Sequence, residues 1–274
     1  MFIMKVGFIG IGNMASAIIK GMIQNGHTSH QDIYVHNTTK ETLALFTSET
    51  GTQACSSNKE LAGKVDVLVL AAKPNVFPTI LAEIKDEIAA HQPLVVSIAA
   101  GTSLQKLSEL LNDGNETAII RVMPNLNSQI GEGMTAICGN DYTTSQQKEF
   151  IFNMFKAIGE VVELPEKDFS TFTAIAGSSP AFVFLFIDSL ARAAVRNGMS
   201  KEVATKIAAQ AVLGSGKLVL DSEETPWNLI DQVSSPGGTT VEGILALEDA
   251  GFISSITKAA QAVIDKDQEM MKHH

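Results

Sequence analysis

Short apolar runs alternate with amphipathic stretches along the first half of the chain. The runs predict strands that are covered on both faces. They occupy residues 6–10, 33–36, 65–71, 94–98, 118–122, 135–138 and 161–164. Between them, apolar residues at three-to-four spacing predict helices. These helices cover residues 14–24, 78–89, 104–111 and 145–157, with another that starts behind a capping box of Thr38 and Glu41. Such alternation is typical of a doubly wound, Rossmann-type α/β domain that binds a dinucleotide.

The pattern changes after Leu164, where strand-like runs end and only helical patterns follow. One long helix is predicted from Pro180 with Ser179 as its cap, and the next begins at Ser200. Further helices are predicted from Pro226, from Gly238 and from about Ile253 to the end. The helix after Ser200 has a stripe with three-to-four spacing. The stripe consists of Val203, Ile207, Ala211, Gly214 and Leu218. We therefore expect a dinucleotide-binding domain at 1–164 and an all-helical dimerisation and substrate domain at 165–274.

Composition narrows the class of protein. A chain of 274 residues suits two domains, and 45% apolar residues can form a sizeable core. The net charge of −10 argues against a nucleic-acid partner, but local backbone dipoles can still bind an anion. The two cysteines, Cys55 and Cys138, have no paired spacing, which favours a reducing compartment. No signal peptide, no unbroken apolar run of membrane length and no metal-ligand spacing are visible. We therefore expect a cytoplasmic protein without membrane or metal contacts.

The first candidate site is the loop Gly10-Ile11-Gly12-Asn13-Met14-Ala15, which lies between a predicted strand and a predicted helix. That context distinguishes a dinucleotide-binding loop from an ordinary glycine turn. Gly10 permits the tight turn, Gly12 lets a pyrophosphate approach the backbone, and Ala15 keeps the helix close to the sheet.

The type of nicotinamide cofactor is indicated about 20 residues further on, where NAD-binding proteins usually carry an acidic residue. Here the segment is His36-Asn37-Thr38-Thr39-Lys40, which has no carboxylate and several donors for a 2′-phosphate. NADPH is therefore favoured over NADH, although Thr38 and Thr39 could instead serve only to cap a helix. Ala71-Ala72-Lys73-Pro74 follows another strand at the ligand-binding edge, where Lys73 could point at the cofactor or at solvent. The small residues Ala99-Ala100-Gly101 follow the next strand and leave room for nicotinamide. The full set of cofactor candidates is Gly10, Gly12, Asn13, Met14, Asn37, Thr38, Lys40, Asn58, Ala72, Lys73, Pro74, Ala99 and Gly101.

The second candidate site is the segment Ser234-Ser235-Pro236-Gly237-Gly238-Thr239-Thr240. Two glycines and two hydroxyls stand where a loop leads into a helix, and backbone N–H groups at such a point are unpaired and partially positive. A small carboxylate could rest on them. The same residues are also ordinary turn formers. Arg121, at a strand end, is interpreted as a surface ion-pair residue, and Gly214-Ser215-Gly216-Lys217 as helix packing.

Taken together, the motifs resemble the pyrroline-5-carboxylate reductase family. The matching stretches span nearly the whole chain in the family's order. They are Gly10-Ile11-Gly12-Asn13-Met14, Lys73-Pro74, Arg121-Val122-Met123-Pro124-Asn125, Gly131-Glu132-Gly133, Gly177-Ser178-Ser179-Pro180-Ala181-Phe182 and Ser234-Ser235-Pro236-Gly237-Gly238-Thr239-Thr240. Two stretches depart from the family pattern: Leu126-Asn127-Ser128 replaces Thr-Pro-Ala, and Ser179 and Phe182 replace Gly and Tyr.

The resemblance implies hydride transfer from NADPH, or sometimes NADH, to the C=N bond of 1-pyrroline-5-carboxylate, giving proline. It implies substrate contacts at Ser235, Gly238, Thr239 and Thr240, with the Thr240 hydroxyl as the catalytic group on the ring nitrogen. It also implies an interlocked homodimer, often assembled into a larger ring, with the active site between the nucleotide domain of one subunit and helices shared by the dimer.

Two other readings remain open. A β-hydroxyacid dehydrogenase has the same two-domain plan and would use a helix lysine, for which Lys217 is the candidate. A non-catalytic NADP-binding regulator would bind the cofactor without turnover.

Overall fold

The computed structural model describes residues 4–111 and 117–273. The chain forms two compact units, one made of residues 1–177 together with 263–274 and the other of residues 178–262. These units divide later than residue 164, and the first unit includes the end of the last helix. The two units do not test the predicted domain boundary between residues 164 and 165, which stays a prediction.

The first unit contains a single eight-stranded sheet. Its strands are β1 Val6–Ile9, β2 Ile33–His36, β3 Gln53–Ala54, β4 Val67–Leu70, β5 Leu94–Ser97, β6 Ile119–Met123, β7 Gly133–Gly139 and β8 Gly159–Glu163. They are ordered β3-β2-β1-β4-β5-β6-β7-β8, and every neighbouring pair is parallel except β6 and β7. Because β2 and β4 lie on opposite sides of β1, the winding reverses there, which opens a crevice at the carboxyl ends of these strands.

Seven helices lie wholly within the described part of this unit. They are α1 Asn13–Gln24, α2 Lys40–Thr50, α3 Asn58–Ala62, α4 Phe77–His91, α5 Leu104–Leu111, α6 Ser145–Lys156 and α7 Phe169–Phe172. The Rossmann-type architecture predicted from the sequence is thus confirmed. The prediction missed β3 and α3, which have two and five residues and are too short to show a periodicity.

Alternate strand residues pack on opposite faces of the sheet. Phe8, Val69 and Val96 belong to a core with Ile18 of α1 and Phe155 of α6. On the other face, Ile9, Leu68, Leu70 and Val95 pack with Leu81 of α4. Both faces are covered, which explains why the strands appear in the sequence as nearly unbroken apolar runs.

The predicted capping box of Thr38 and Glu41 is not formed. Helix α2 begins at Lys40 behind Thr39, and no side chain caps it. The Asn37 side chain shapes this turn instead, because its Nδ2 donates to the Thr39 carbonyl at 3.3 Å. A capping box does occur at Thr144 and Gln147, ahead of α6.

The long helix expected from Pro180 begins earlier than predicted. Helix α8, Ser179–Arg196, continues directly from α7 through a π-helical turn at Thr173–Ser178. Ser179 is therefore a helical residue and not the cap. Pro180 has no N–H to donate to the carbonyl of Ala176, four residues earlier, and proline-associated irregularities of this kind commonly interrupt the α-helical ladder.

The second unit consists of helices within its described residues. They are α8, α9 Lys201–Asp221, α10 Pro226–Val233, α11 Thr239–Asp249 and the first half of α12 Phe252–His273. Many of their large apolar side chains are exposed in the single chain, among them Leu185, Ile207, Leu213 and Leu220. Val203, Ile207 and Leu218 of the predicted stripe are also exposed.

Two helical segments are long and apolar enough to cross a membrane, Glu166–Arg196 and Lys201–Asp221. The sequence contains no unbroken apolar run of that length, because polar residues interrupt both segments, and the absence of a membrane contact stays a prediction. Length and composition alone are weak evidence for a membrane span, and helices that pack against a second subunit have the same character.

Candidate active site

The cofactor candidates all lie at the carboxyl edge of the sheet. Gly10 to Met14 follow β1, Asn37 to Lys40 follow β2, and Asn58 begins α3 just after β3. Ala72 to Pro74 follow β4, and Ala99 to Gly101 follow β5. The fold thus brings together residues that are far apart in the sequence, at the edge where parallel α/β sheets bind their ligands.

The glycine loop is closely packed at Gly10 and open at Gly12. Gly10 has a φ of +99°, its N–H donates to the His36 carbonyl at 2.9 Å, and an added Cβ would lie 3.1 Å from the Ala71 carbonyl oxygen. An added Cβ at Gly12 would meet nothing within 4 Å. Gly12 also caps α1, whose first turn has no acidic residue and no side-chain cap. This arrangement fits a pyrophosphate on the helix N-terminus.

The loop after β2 is tied to the glycine loop by Asn37. Its Oδ1 accepts a hydrogen bond from the backbone N–H of Ile11 at 3.3 Å. Thr38, Thr39 and Lys40 are exposed beside it. Hydroxyl, amide and ammonium donors without a carboxylate suit the 2′-phosphate of NADPH.

Asn58 and Lys73 differ in their surroundings. Asn58 is buried, its Nδ2 donates to Glu83 at 2.8 Å, and its Oδ1 has no partner among the protein groups of the described chain. Lys73 is exposed and precedes the turn Pro74–Val76. The unpartnered Asn58 oxygen is an acceptor that a bound hydroxyl could satisfy.

The segment Ser234–Thr240 forms a tight turn that leads into α11. The N–H of Gly238 donates to the Ser235 carbonyl at 2.9 Å, and Gly237 has a φ of +68°. The expectation that the Gly238 amide is free for a carboxylate therefore needs correction, because the turn itself uses this amide. Helix α11 begins at Thr239 and has no side-chain cap, so its first-turn amides, including those of Thr239 and Thr240, retain the anion-binding character.

Arg121 is not the surface residue expected from the sequence. Its side chain is 1% exposed and lies in β6, opposite Cys138 of β7. Its Nη1 donates to Glu166 at 2.9 Å, and its guanidinium lies 4.6 Å from the centre of the Phe169 ring. The apolar residues on both sides of Arg121 in the sequence were the available signal for burial. Its partner Glu166 was not anticipated at all.

Cys55 and Cys138 are both free and buried. Burial raises the pKa of Cys138 to about 12, and burial together with the nearby Glu60 raises the pKa of Cys55 to about 11. Both are therefore neutral thiols at physiological pH and poor nucleophiles. Within residues 4–111 and 117–273, no cluster of His, Cys, Asp and Glu could hold a metal ion.

Lys217, which would act as the catalytic acid if the protein were a β-hydroxyacid dehydrogenase, lies within α9. Its Nζ is 3.2 Å from Asp221 one turn further on, and both side chains are largely exposed. The Gly214–Lys217 stretch is helical as predicted and forms no phosphate loop.

A parallel sheet with an open glycine loop at its switch point, followed by a helical unit, defines a two-domain nicotinamide-dependent oxidoreductase. Comparison with known protein families supports this class for both the N-terminal and the C-terminal part of the chain. Residues 5–101 match the family described as "NADP oxidoreductase coenzyme F420-dependent", and residues 166–270 match the family described as "Pyrroline-5-carboxylate reductase dimerisation".

Full-length relatives narrow this class. The chain is 38% identical over 268 residues to the pyrroline-5-carboxylate reductase of Escherichia coli strain K12, covering 98% of each chain. It superimposes on that of Coxiella burnetii with a TM-score of 0.92 at 32% identity, covering 98% of this chain and 99% of the other. The Plasmodium falciparum pyrroline carboxylate reductase, solved with NADP bound, gives 0.87 at 34% identity over 98% of both chains. This chain belongs to the pyrroline-5-carboxylate reductase family.

Proposed function

We propose that this protein reduces 1-pyrroline-5-carboxylate to proline with NADPH, as the last step of proline biosynthesis. NADH is the alternative donor. The observation that carries the proposal is the similarity to reductases of that name over 98% of the chain, including both the dinucleotide-binding and the helical parts. The open glycine loop and the uncapped start of α11 support it.

The loops at the sheet edge would hold the cofactor. The Gly12 backbone and the first turn of α1 would bind the pyrophosphate, and Asn13 and Met14 belong to that turn. Asn37, Thr38 and Lys40 would contact the 2′-phosphate, and Asn58 would accept from a ribose hydroxyl. Ala72, Lys73, Pro74, Ala99 and Gly101 would line the nicotinamide end.

The segment Ser234–Thr240 would hold the substrate. Its carboxylate would rest on the amides of Thr239 and Thr240, beside the Ser235 hydroxyl and the bare Cα of Gly238. The Thr240 hydroxyl would hydrogen-bond the ring nitrogen. An added Cβ at Gly238 would lie 2.5 Å from Ser235 Oγ, so the loop is shaped around the absence of a side chain at this position.

When bound, NADPH supplies the hydride that the imine carbon accepts, and the ring nitrogen ends with one added proton. The overall change is imine acid plus NADPH plus a proton giving proline plus NADP⁺. The C=N group becomes electrophilic on protonation, so we assign no general acid. The protein's contribution is to hold the reacting groups together, an effect worth up to roughly 7–11 kcal/mol.

A homodimer formed through residues 166–270, assembled further into a ring in the cytoplasm, would explain the exposed apolar side chains. Leu185, Leu213 and Leu220 would then be covered by a second copy of the chain, with no membrane involved.

A spectrophotometric assay of NADPH and NADH oxidation tests the proposal against its alternatives. We expect rapid oxidation of NADPH with the imine acid, no oxidation of NADPH with β-ketoacids, and no reduction of NADP⁺ with β-hydroxyacids. Turnover of the hydroxyacid pairs alone would favour the dehydrogenase. Tight NADPH binding with no oxidation by any acceptor would favour the regulator.

A further inference from the structure

Glu166 joins three separate parts of the first unit. Its Oε1 accepts hydrogen bonds from Arg121 Nη1 at 2.9 Å and from the backbone N–H of Leu104 at 2.8 Å. Arg121 lies in β6, Leu104 is the first residue of α5, and Glu166 itself begins the turn Glu166–Asp168. One carboxylate oxygen therefore fixes the end of the loop that runs from β5 to α5, which we term the β5–α5 loop, residues 98–103.

The end of α12 also lies against the β5–α5 loop. Gly101 has a φ of +72°, and an added Cβ there would lie 3.7 Å from Met270 Cε. The next residue, Met271, accepts from Arg121 Nη1 through its Sδ at 3.7 Å. A buried hydrogen bond of 2.8 Å from Ser170 Oγ to Asp267 Oδ2 fixes the same helix one turn earlier. The loop is thus held by a network centred on Arg121 and Glu166.

Electrostatics explains why this position requires a carboxylate. Glu166 lies between a guanidinium that is 1% exposed and the N-terminus of α5, and both favour a negative charge. Arg121 is held within the sheet and against Phe169, so it cannot follow a displaced partner. If Glu166 is removed, the β5–α5 loop and the first turn of α5 are the parts that lose their restraint.

Resting on the proposed function, we infer that Glu166 is a positioning residue for hydride transfer. Through the Leu104 amide and Arg121 it holds the β5–α5 loop, and Ala99 and Gly101 in that loop confine the nicotinamide. Its hydrogen bonds do not go to the loops after β1 and β2, which would hold the pyrophosphate and the 2′-phosphate. Glu166 therefore governs the orientation of the reacting ring more than the affinity for the cofactor.

Hydrogen exchange of the cofactor-free protein tests the structural part. We expect the amides of residues 98–107 to exchange about tenfold faster in E166A than in the parent, because a charge-assisted restraint on a local opening is lost. E166Q keeps an oxygen that can accept from Leu104 but loses the negative charge, so it should restore only part of the protection. E166D keeps the charge but is too short to reach both donors, so it should resemble E166A.

A matched control is available three residues earlier. Glu163 also carries an ion pair, with Lys148 at 2.7 Å, but it is half-exposed and bonds neither Leu104 nor Arg121. E163A should leave the exchange of residues 98–107 and the kinetics at parent values. Equal exchange of this segment in the parent, E166A and E166D would overturn the inference.

Kinetics tests the functional part. In E166A we expect kcat to fall about tenfold while the Kd for NADPH, from its fluorescence, changes less than about twofold. The primary isotope effect with NADPH deuterated at the transferred position should rise, because hydride transfer becomes slower. A merely destabilised protein would lose active enzyme with no change in isotope effect, and that result would contradict the assignment.

If the parent enzyme itself does not oxidise NADPH with the imine acid, the proposed function fails while the exchange experiment still decides the role of Glu166 in the loop.

Discussion

The side chain of Asn125 donates a hydrogen bond to the carbonyl of Ala176 at 3.0 Å. That carbonyl lies four residues before Pro180, which has no N–H to offer it. The Oδ1 of Asn125 accepts from the backbone N–H of Met134 at 3.1 Å. Asn125 is buried and therefore satisfies two backbone groups, the buried carbonyl of Ala176 and the N–H of the half-buried Met134.

Replacing Asn125 by leucine should destabilise the protein. The buried Ala176 carbonyl loses its side-chain donor at a cost of about 1–3 kcal/mol, and the half-buried Met134 N–H also loses its partner. Urea unfolding followed by circular dichroism should give a midpoint well below that of the parent. The nearby substitution N127L, at a half-buried residue of the following turn, should have a much smaller effect. A midpoint for N125L equal to that of N127L would show that the Ala176 carbonyl needs no side-chain donor.

Gly10 and Gly12 should respond differently to alanine. At Gly12 the new methyl group has open space in the protein but occupies the position proposed for the pyrophosphate. G12A should therefore keep its melting temperature and lose NADPH affinity by more than about tenfold, or about 1.4 kcal/mol.

G10A should lose both stability and affinity, because its φ of +99° is left-handed and its Cβ would crowd the Ala71 carbonyl. The strain is of order 1–3 kcal/mol. Thermal melting and NADPH fluorescence titration measure the two effects separately. Undiminished NADPH binding by G12A would remove the glycine loop from the cofactor site.

Asn37→Asp should shift the cofactor preference from NADPH towards NADH. The new carboxylate can still accept from Ile11, but it would repel the 2′-phosphate and it loses the donation to Thr39. We expect KM for NADPH to rise at least about tenfold while KM for NADH stays within a few-fold. The two cofactors serve as internal controls for each other. A parallel rise for both would indicate a disturbed glycine loop rather than lost phosphate recognition.

Thr240→Ala should lower turnover and leave cofactor binding intact. The variant loses the hydroxyl that is proposed to bond the ring nitrogen of the substrate. Thr240 lies in the second unit, whereas the cofactor candidates belong to the first. A decrease in kcat/KM of about 10²-fold is expected. T240S keeps a hydroxyl and should recover much of the activity. Parent-like kcat/KM in T240A would end the assignment of Thr240 as the catalytic group.

Leu213→Glu should weaken self-association. Leu213 is 61% exposed on α9, within the part of the chain that matches the dimerisation family. A buried, unpaired carboxylate at an interface typically costs several kcal/mol. Light scattering coupled to size-exclusion chromatography should show a smaller species. L45E, on the equally exposed Leu45 of α2, is the control and should keep the parent mass. If both variants keep the parent mass, the interface lies elsewhere on the helices.

Local sequence patterns accounted for most of the first unit. Apolar runs and three-to-four spacing placed the strands and helices of 6–24 and 94–111 within two residues of their observed bounds. The glycine loop was recognised because Gly10 and Gly12 impose conformational demands that only their residue type meets. The prediction of a capping box at Thr38 was wrong because Asn37 shapes the turn. The Asn37 side chain is held by the N–H of Ile11, which lies 26 residues earlier in the chain.

Long-range pairings could not be predicted from such patterns. Arg121 and Glu166 are 45 residues apart, and nothing in the sequence near Arg121 indicates where its partner lies. The role of Asn125 likewise depends on a carbonyl 51 residues away. The exposed face of α9 was visible as a stripe, but which surface covers it depends on a second copy of the chain.

The most direct test of the proposed activity is to measure proline formed against NADPH consumed by the purified protein supplied with 1-pyrroline-5-carboxylate. Chromatographic quantitation of proline beside the optical loss of NADPH gives both amounts in one reaction. We expect one proline for each NADPH oxidised, with both signals strongly reduced in T240A and in G12A at limiting NADPH. Consumption of NADPH without proline, or no consumption at all by folded protein that binds NADPH, would contradict the account.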